Sequence, residues 1–220
     1  MTTTTKTRGG AFRRIAGAAS LAGGGLLTFA GFLTTPWETE PSTEAYLAAN
    51  AASPTKTLVS ATLLHFGYLL LVPAVIALVA VARRASPRLA NTALVLGILG
   101  AGLNGIVGVD MYDLALGTTL PMEDAVRVYE AAGSYWAGAI MNLPSILGLF
   151  LGTVLAVAAA GRAGVTPRYL WAGTLAGWVL FVIGGFGAIP AAGLAGSGLL
   201  ALTLIAAGVK VARSGDSAFA

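Results

Sequence analysis

The chain has 220 residues, of which 56% are hydrophobic and only 10% are charged, and its formal net charge is +4. A water-soluble domain has about a quarter of its residues charged. This composition therefore excludes a water-soluble domain and indicates a surface that mostly faces lipid. With no cysteine, a single histidine (His65) and no lysine inside an apolar run, the chain is expected to hold no iron–sulfur cluster, no bis-histidine haem and no retinal.

Six apolar segments predict an all-α integral membrane protein, a bundle of six transmembrane helices. A span needs about 20 apolar residues, so the long run 169–209 must divide, and Ile189-Pro190-Ala191 marks the break. The bundle is predicted as one membrane domain, 15–212, with a basic tail (1–14) before it and a short tail (213–220) after it. The predicted spans are 15–34, 58–82, 89–116, 136–160, 169–189 and 191–209.

The first apolar segment, Ile15–Thr34, also has features of a signal peptide. A basic stretch precedes it, and small residues near Ala30 suit a cleavage site. Its uncharged length of about 20 residues matches a full span, which favours a helix that is retained.

Two polar segments between the spans predict short surface helices. In the first, Ser42 suits the N-cap of a helix that continues through Tyr46. In the second, Pro121 suits a first helical position, and the two acids that follow it suit the positive helix start. Gly133 suits the C-terminal cap of that second helix.

The basic residues predict the orientation of the bundle. If the N-terminus is cytoplasmic, the outer segments contain only Lys56 and Arg127, whereas the inner segments contain eleven basic residues. Such a bias predicts cytoplasmic N- and C-termini, and with them a multi-pass protein of the bacterial inner (plasma) membrane. The eleven inner residues are Lys6, Arg8, Arg13, Arg14, Arg83, Arg84, Arg88, Arg162, Arg168, Lys210 and Arg213.

A polar layer interrupts three of the predicted spans. His65 lies about two turns, roughly 10 Å, below the outer surface, and Asp110 and Asp113 lie at a similar level on the next span. A carboxylate inside a span is costly and usually has a function, so we predict an outward-facing pocket for a small or amphipathic ligand. The predicted ligand-binding residues are His65, Tyr68, Asn104, Asp110, Tyr112, Asp113 and Asn142.

This layer is compatible with three classes of function. A ligand-binding pocket predicts a carrier, a sensor or an accessory subunit of a membrane complex. The alternative is an intramembrane acid/base or metal-assisted enzyme acting on a lipid or isoprenoid, with Asp110, Asp113 and His65 as catalytic candidates and weak candidates for metal ligands. The third possibility is a purely structural subunit, in which the polar cluster only holds the second, third and fourth spans together. Alternatively, the third span ends near Val109, and the two acids lie at headgroup level.

Small residues four positions apart predict helix-packing seams. Such stripes occur at Gly97–Ala101–Gly105, at Gly148–Gly152 and at Gly173–Gly177. We expect the lipid bilayer as a partner, and the same stripes also suit a homo-oligomer or a larger membrane complex. No feature suits nucleic acid. The last two spans have no ionisable side chain, which predicts a scaffold, a lipid-facing wall or an oligomer contact.

Overall fold

A computed structural model describes residues 8–102, 106–215 and 219, with the backbone alone at residues 8, 102, 137–139 and 141. All regular secondary structure in this part of the chain is helical, and no strand occurs in it. Their bounds are α1 Arg8–Thr34, α2 Thr43–Ala52, α3 Pro54–Ala82, α4 Pro87–Gly102, α5 Ile106–Thr119, α6 Met122–Ser134, α7 Trp136–Arg162, α8 Leu170–Phe186 and α9 Pro190–Ala212.

Five helical stretches within the described residues are long and apolar enough to cross a membrane. A further apolar helix, α8, has 17 residues and is shorter than these five. The predicted all-α multi-pass membrane class is therefore confirmed. The five stretches are Gly9–Thr34, Pro54–Ala82, Pro87–Thr119, Asn142–Arg162 and Pro190–Ala212.

The first helix extends further than the sequence predicts. It begins at Arg8 instead of Ile15, so that part of the predicted tail 1–14 is helical and carries Arg13 and Arg14 on its first turns. The physical reason is that a charged side chain limits how much of a helix lies in hydrocarbon but does not end the helix itself.

The predicted caps and breaks agree with the structure in most places. The Ser42 hydroxyl accepts a hydrogen bond from the backbone N–H of Ala45 (3.1 Å), which makes it the N-cap of α2. The break near Pro190 is confirmed, since α9 begins there and Ala188 just before it has a positive φ of 48°. Gly133, predicted as a C-terminal cap, lies inside α6.

Six apolar helices form a closed ring: α1, α3, α4, α7, α8 and α9. Around it α1 packs on α3, α3 on α4, α4 on α7, α7 on α8, α8 on α9, and α9 back on α1. Contacts between α3 and α7 also cross the middle of the ring. The short helices α2 and α6 pack against α5 and against each other at one end. Both α4 and α5 pack on α3, but α4 also packs on α7, whereas α5 also packs on α2 and α6.

The seam between α4 and α7 brings two backbones into direct contact. A methyl group at Gly148 would lie 2.6 Å from the carbonyl oxygen of Leu96 and 2.9 Å from the nitrogen of Gly100. One turn further along, a methyl group at Gly152 would meet the backbone of Gly97. The predicted packing seams are confirmed here, because only glycine permits so close an approach.

The start of α1 and the described residues that follow α9 lie at the same end of the bundle. A guanidinium nitrogen of Arg14 donates to the carbonyl oxygen of Ser214 (2.9 Å), and one of Arg13 donates to that of Phe219 (3.3 Å). The start of α1 is thereby joined to the residues that follow α9.

We predict that Gly152→Ala lowers the thermal stability of the detergent-solubilised protein. Its added methyl group would meet the backbone of Gly97, and forcing extra volume into a packed interior costs about 1–3 kcal/mol. Gly108→Ala is the matched control, because a methyl group there would meet nothing within 4 Å. Equal melting temperatures for the two variants would contradict the seam.

Candidate functional site

A cavity opens where the seam between α4 and α7 ends. Ser145 on α7 lies at this point, with its hydroxyl donating to the carbonyl oxygen of Gly100 (3.4 Å). Beyond it α5 packs on α3 and on the surface helices, which leaves a cavity of about 540 Å³ between α5, α7 and α8. The lining residues are Tyr68, Ile106, Val109, Asp110, Asn142, Ser145, Ile146, Leu149, Phe150, Phe181, Val182, Gly185 and Phe186.

One side of the cavity is lined by polar groups, and the opposite side is apolar. Asp110 contributes the one carboxylate, with the Tyr68 hydroxyl and the Asn142 amide as further polar groups. The opposite wall is aromatic: Phe150 stacks on Trp178 with ring centroids 4.0 Å apart, and Phe181 meets Trp178 edge-on at 5.9 Å. Trp178 is itself fixed, because its indole nitrogen donates to the Thr153 hydroxyl (2.9 Å).

Asp113 has a different environment from Asp110. It is buried, with 6% of its surface exposed, and its carboxylate accepts a hydrogen bond from the Tyr46 hydroxyl (2.9 Å). Tyr46 belongs to the surface helix α2 and packs against Tyr129 of α6 at a ring distance of 5.9 Å. Asp113 therefore joins α5 to the two surface helices.

The position of α2 is fixed at both of its sides. The buried Asn50 accepts hydrogen bonds from the Thr57 hydroxyl of α3, at its backbone oxygen and at its side-chain oxygen, both 3.2 Å. On the α5 side, a methyl group at Gly117 would lie 2.9 Å from the carbonyl oxygen of Leu47. A short helix held in this way delivers the Tyr46 hydroxyl to Asp113 in a defined geometry.

The environment of Tyr46 favours the neutral hydroxyl. Burial raises the pKa of Tyr46 well above its ordinary value of 10.0, and the carboxylates of Asp113 and then Asp110 raise it further. Burial and the same two carboxylates also raise the pKa of Tyr129. A hydroxyl that keeps its proton continues to donate to Asp113.

The residues of the predicted polar layer thus lie in several different environments. Tyr68, Asp110 and Asn142 line one cavity, and Asp113 bonds to α2. Tyr112 is 75% exposed and does not line this cavity, whereas Asn104 lies outside the described residues.

The predicted partnership of His65 with the aspartates is not seen. His65 packs edge-on against Phe66, and its buried Nδ1 has no hydrogen-bond partner in the described structure. Across the described ranges, no three histidine, aspartate or glutamate side chains converge to hold a metal ion.

Sequence reasoning missed the apolar half of the cavity. Phe181, Val182 and Phe186 come from α8, a helix without ionisable residues that was predicted as scaffold or lipid-facing wall. It also missed Tyr46 as the partner of Asp113, which lies 67 positions away. The only signal in the sequence was a tyrosine in a surface segment on the outer side of the bundle, the side to which the acids are nearest.

No protein-family model, curated protein or solved structure matches this chain.

We predict that Tyr46→Phe loosens α2 and lowers stability. It leaves the buried Asp113 carboxylate without its donor, and losing a hydrogen bond to a charged group costs roughly 1.5–3 kcal/mol. Faster hydrogen exchange in Thr43–Ala52 and a lower melting temperature would report this. Tyr135→Phe is the control, since that side chain is 67% exposed.

The same variant tests the pH dependence of stability. Because the folded-state pKa of Tyr46 is raised above the ordinary 10.0, its contribution is complete below pH 10 and is lost as the pH rises further. The melting temperature of the wild type should therefore fall more steeply above pH 10 than that of Tyr46→Phe. Parallel curves for the two proteins would contradict this role.

Proposed function

We propose that the protein is a six-span membrane protein with both termini on the cytoplasmic side of a bacterial inner membrane. Two chain ends on one side require an even number of crossings, and the bonds of Arg13 and Arg14 to the C-terminal segment support that. The sixth crossing would be α8, whose 17 residues extend about 26 Å against a hydrocarbon core of about 30 Å. The basic residues predict which side is cytoplasmic.

We further propose that the cavity binds an amphipathic ligand with a cationic, hydrogen-bond-donating head. The observation that carries this proposal is the single carboxylate of Asp110 in an otherwise mostly apolar lining of about 540 Å³. Ligand sites typically have this size and this ratio of a few polar groups to many apolar ones. Asp110, Tyr68 and Asn142 would bind the head, and the phenylalanines would contact the apolar body.

The side chains at the mouth support entry of the ligand from the bilayer. Val109, Ile146 and Phe186 line the cavity and are 55%, 44% and 80% exposed, respectively. Exposed apolar side chains on a membrane bundle face lipid, so the mouth between α5 and α8 would accept a molecule that is already dissolved in the membrane. Such a site suits a carrier, a sensor or an accessory subunit.

The second candidate function is an intramembrane acid/base enzyme that acts on a lipid or isoprenoid. One observation favours it, namely that Asp110 and the Tyr68 hydroxyl line the same cavity, so that a substrate there would meet two groups able to exchange a proton. Binding is preferred because Asp113, the other carboxylate, is already bonded to Tyr46.

We predict that Asp110→Asn weakens the binding of a long-chain amine. In nanodiscs, dodecylamine should bind the variant roughly 10- to 100-fold more weakly than the wild type, since charge-assisted hydrogen bonds contribute about 1.5–3 kcal/mol. Dodecanol, which has the same chain without the charge, should show a much smaller difference.

Asp113→Asn is the matched control for this measurement. It makes the same change one helical turn away, at a residue that does not line the cavity, and its amide oxygen can still accept from Tyr46. An equal loss of dodecylamine binding in both variants, or in neither, would argue against Asp110 as the head-group site.

We predict the topology of the bundle from single cysteines in this cysteine-free chain. A cysteine at Thr118 and one at Ala188 should both react with a membrane-impermeant maleimide from outside the cell. A cysteine at Ala163, in the basic turn after α7, should react only after the membrane is opened. Labelling of Ala188 from the cytoplasmic side alone would exclude α8 as a crossing helix.

A further inference from the structure

A second cavity lies at the opposite end of the bundle, beside the chain termini. It is a groove of about 400 Å³ on the surface of α3, with α1 on one side and α4 on the other. Three arginines, Arg13, Arg83 and Arg84, belong to its lining, and the remaining residues are apolar: Ile76, Val79, Ala80, Leu94, Ile98 and Phe219.

Among the residues that the structure describes, no acidic side chain lines the groove. In the same part of the chain, Arg83 and Arg84 form no ion pair or side-chain hydrogen bond. The side-chain ion pair of Arg127 with Asp124 lies far from it, on α6. Arg13 bonds to the carbonyl oxygen of Phe219 through one guanidinium nitrogen, and the other guanidinium donors remain available.

The groove also has a definite direction along the membrane normal. Arg83 caps the C-terminal end of α3, and Ile76 lies seven residues earlier, about 10 Å deeper. On α4, Ile98 lies eleven residues after the helix start at Pro87, about 16 Å deeper. This depth is about half of a 30 Å hydrocarbon core, so the groove runs from the headgroup level through one leaflet.

We propose that this groove is a specific site for one anionic phospholipid. The phosphate would lie between Arg13, Arg83 and Arg84, whose planar guanidinium groups suit phosphate oxygens. One acyl chain would lie along Ile76, Ala80 and Ile98. A free phosphate ion would use only the arginines, whereas the apolar trough beneath them fits a molecule that has a chain.

The site is independent of the proposed ligand cavity. That cavity lies beyond the glycine seam, towards the surface helices α2 and α6, and shares no lining residue with the groove. A lipid here would also contact α1, α3 and α4 together with Phe219, and so would stabilise the end of the bundle where the chain begins and ends.

Titration of the full-length protein with defined lipids tests the site. Native mass spectrometry should show one phosphatidylglycerol retained in preference to phosphatidylcholine. The double variant Arg83→Gln/Arg84→Gln should weaken phosphatidylglycerol binding about tenfold or more, since each basic residue near the surface adds attraction for anionic lipid. Arg13 is left unchanged because it also bonds to the backbone near the C-terminus.

Two further variants separate this site from general charge attraction and from a phosphate site. Arg162→Gln/Arg168→Gln removes the same charge from the turn after α7 and should leave binding unchanged; an equal loss there would overturn the proposal. Ala80→Phe fills the trough and keeps the arginines, so it should also weaken phosphatidylglycerol binding. Wild-type affinity in Ala80→Phe, or full displacement of the lipid by inorganic phosphate, would overturn the acyl-chain site.

Discussion

The backbone contact between α4 and α7 is the constraint on which the rest of the structure depends. Gly97 and Gly100 on α4 meet Gly148 and Gly152 on α7. These contacts hold the two helices close together where the glycines lie. Beyond this seam the two described glycines of α5, Gly108 and Gly117, do not meet α7, and α5 packs instead on α3, α2 and α6. Close packing at one end and separation at the other open the cavity. If these positions carried larger side chains, the two helices would stand further apart throughout, and the cavity would lose its defined floor.

The two aspartates show how one helix turn separates two roles. Residues three apart differ by about 60° around a helix and by about 4.5 Å along it, so Asp110 and Asp113 share a general face but not a neighbour. Asp113 lies at the level of α2, where Tyr46 can reach it. Asp110 is one turn deeper, below the reach of the surface helices, and borders the cavity between α5 and α7. The outer acid accepts a hydrogen bond from within the chain, while the inner one lines the cavity.

Much of the fold could be predicted from the sequence, and part of the site could. The positions of the apolar helices, the break before Pro190 and the Ser42 cap all follow from local signals, and the structure agrees with them. Asp110, Tyr68 and Asn142, which the sequence predicts at a similar depth, line the same cavity, because depth follows from counting residues along a helix. His65 was chosen by the same rule and forms no hydrogen bond or ion pair with either aspartate, since depth says nothing about the direction in which a helix turns its side chains.

The sequence by itself determined that this is a multi-pass helical membrane protein. A helix that crosses the hydrocarbon core needs about 20 consecutive apolar residues. Such a run can be recognised in the sequence without knowing which helices pack against it. Only the tertiary structure decided which polar groups meet. The bond of Tyr46 to Asp113, the aromatic wall that α8 adds to the cavity and the groove that Arg13 lines together with Arg83 all bring together segments far apart in the chain. Such contacts depend on the rotation of each helix about its axis, which is set by side-chain and backbone packing between helices.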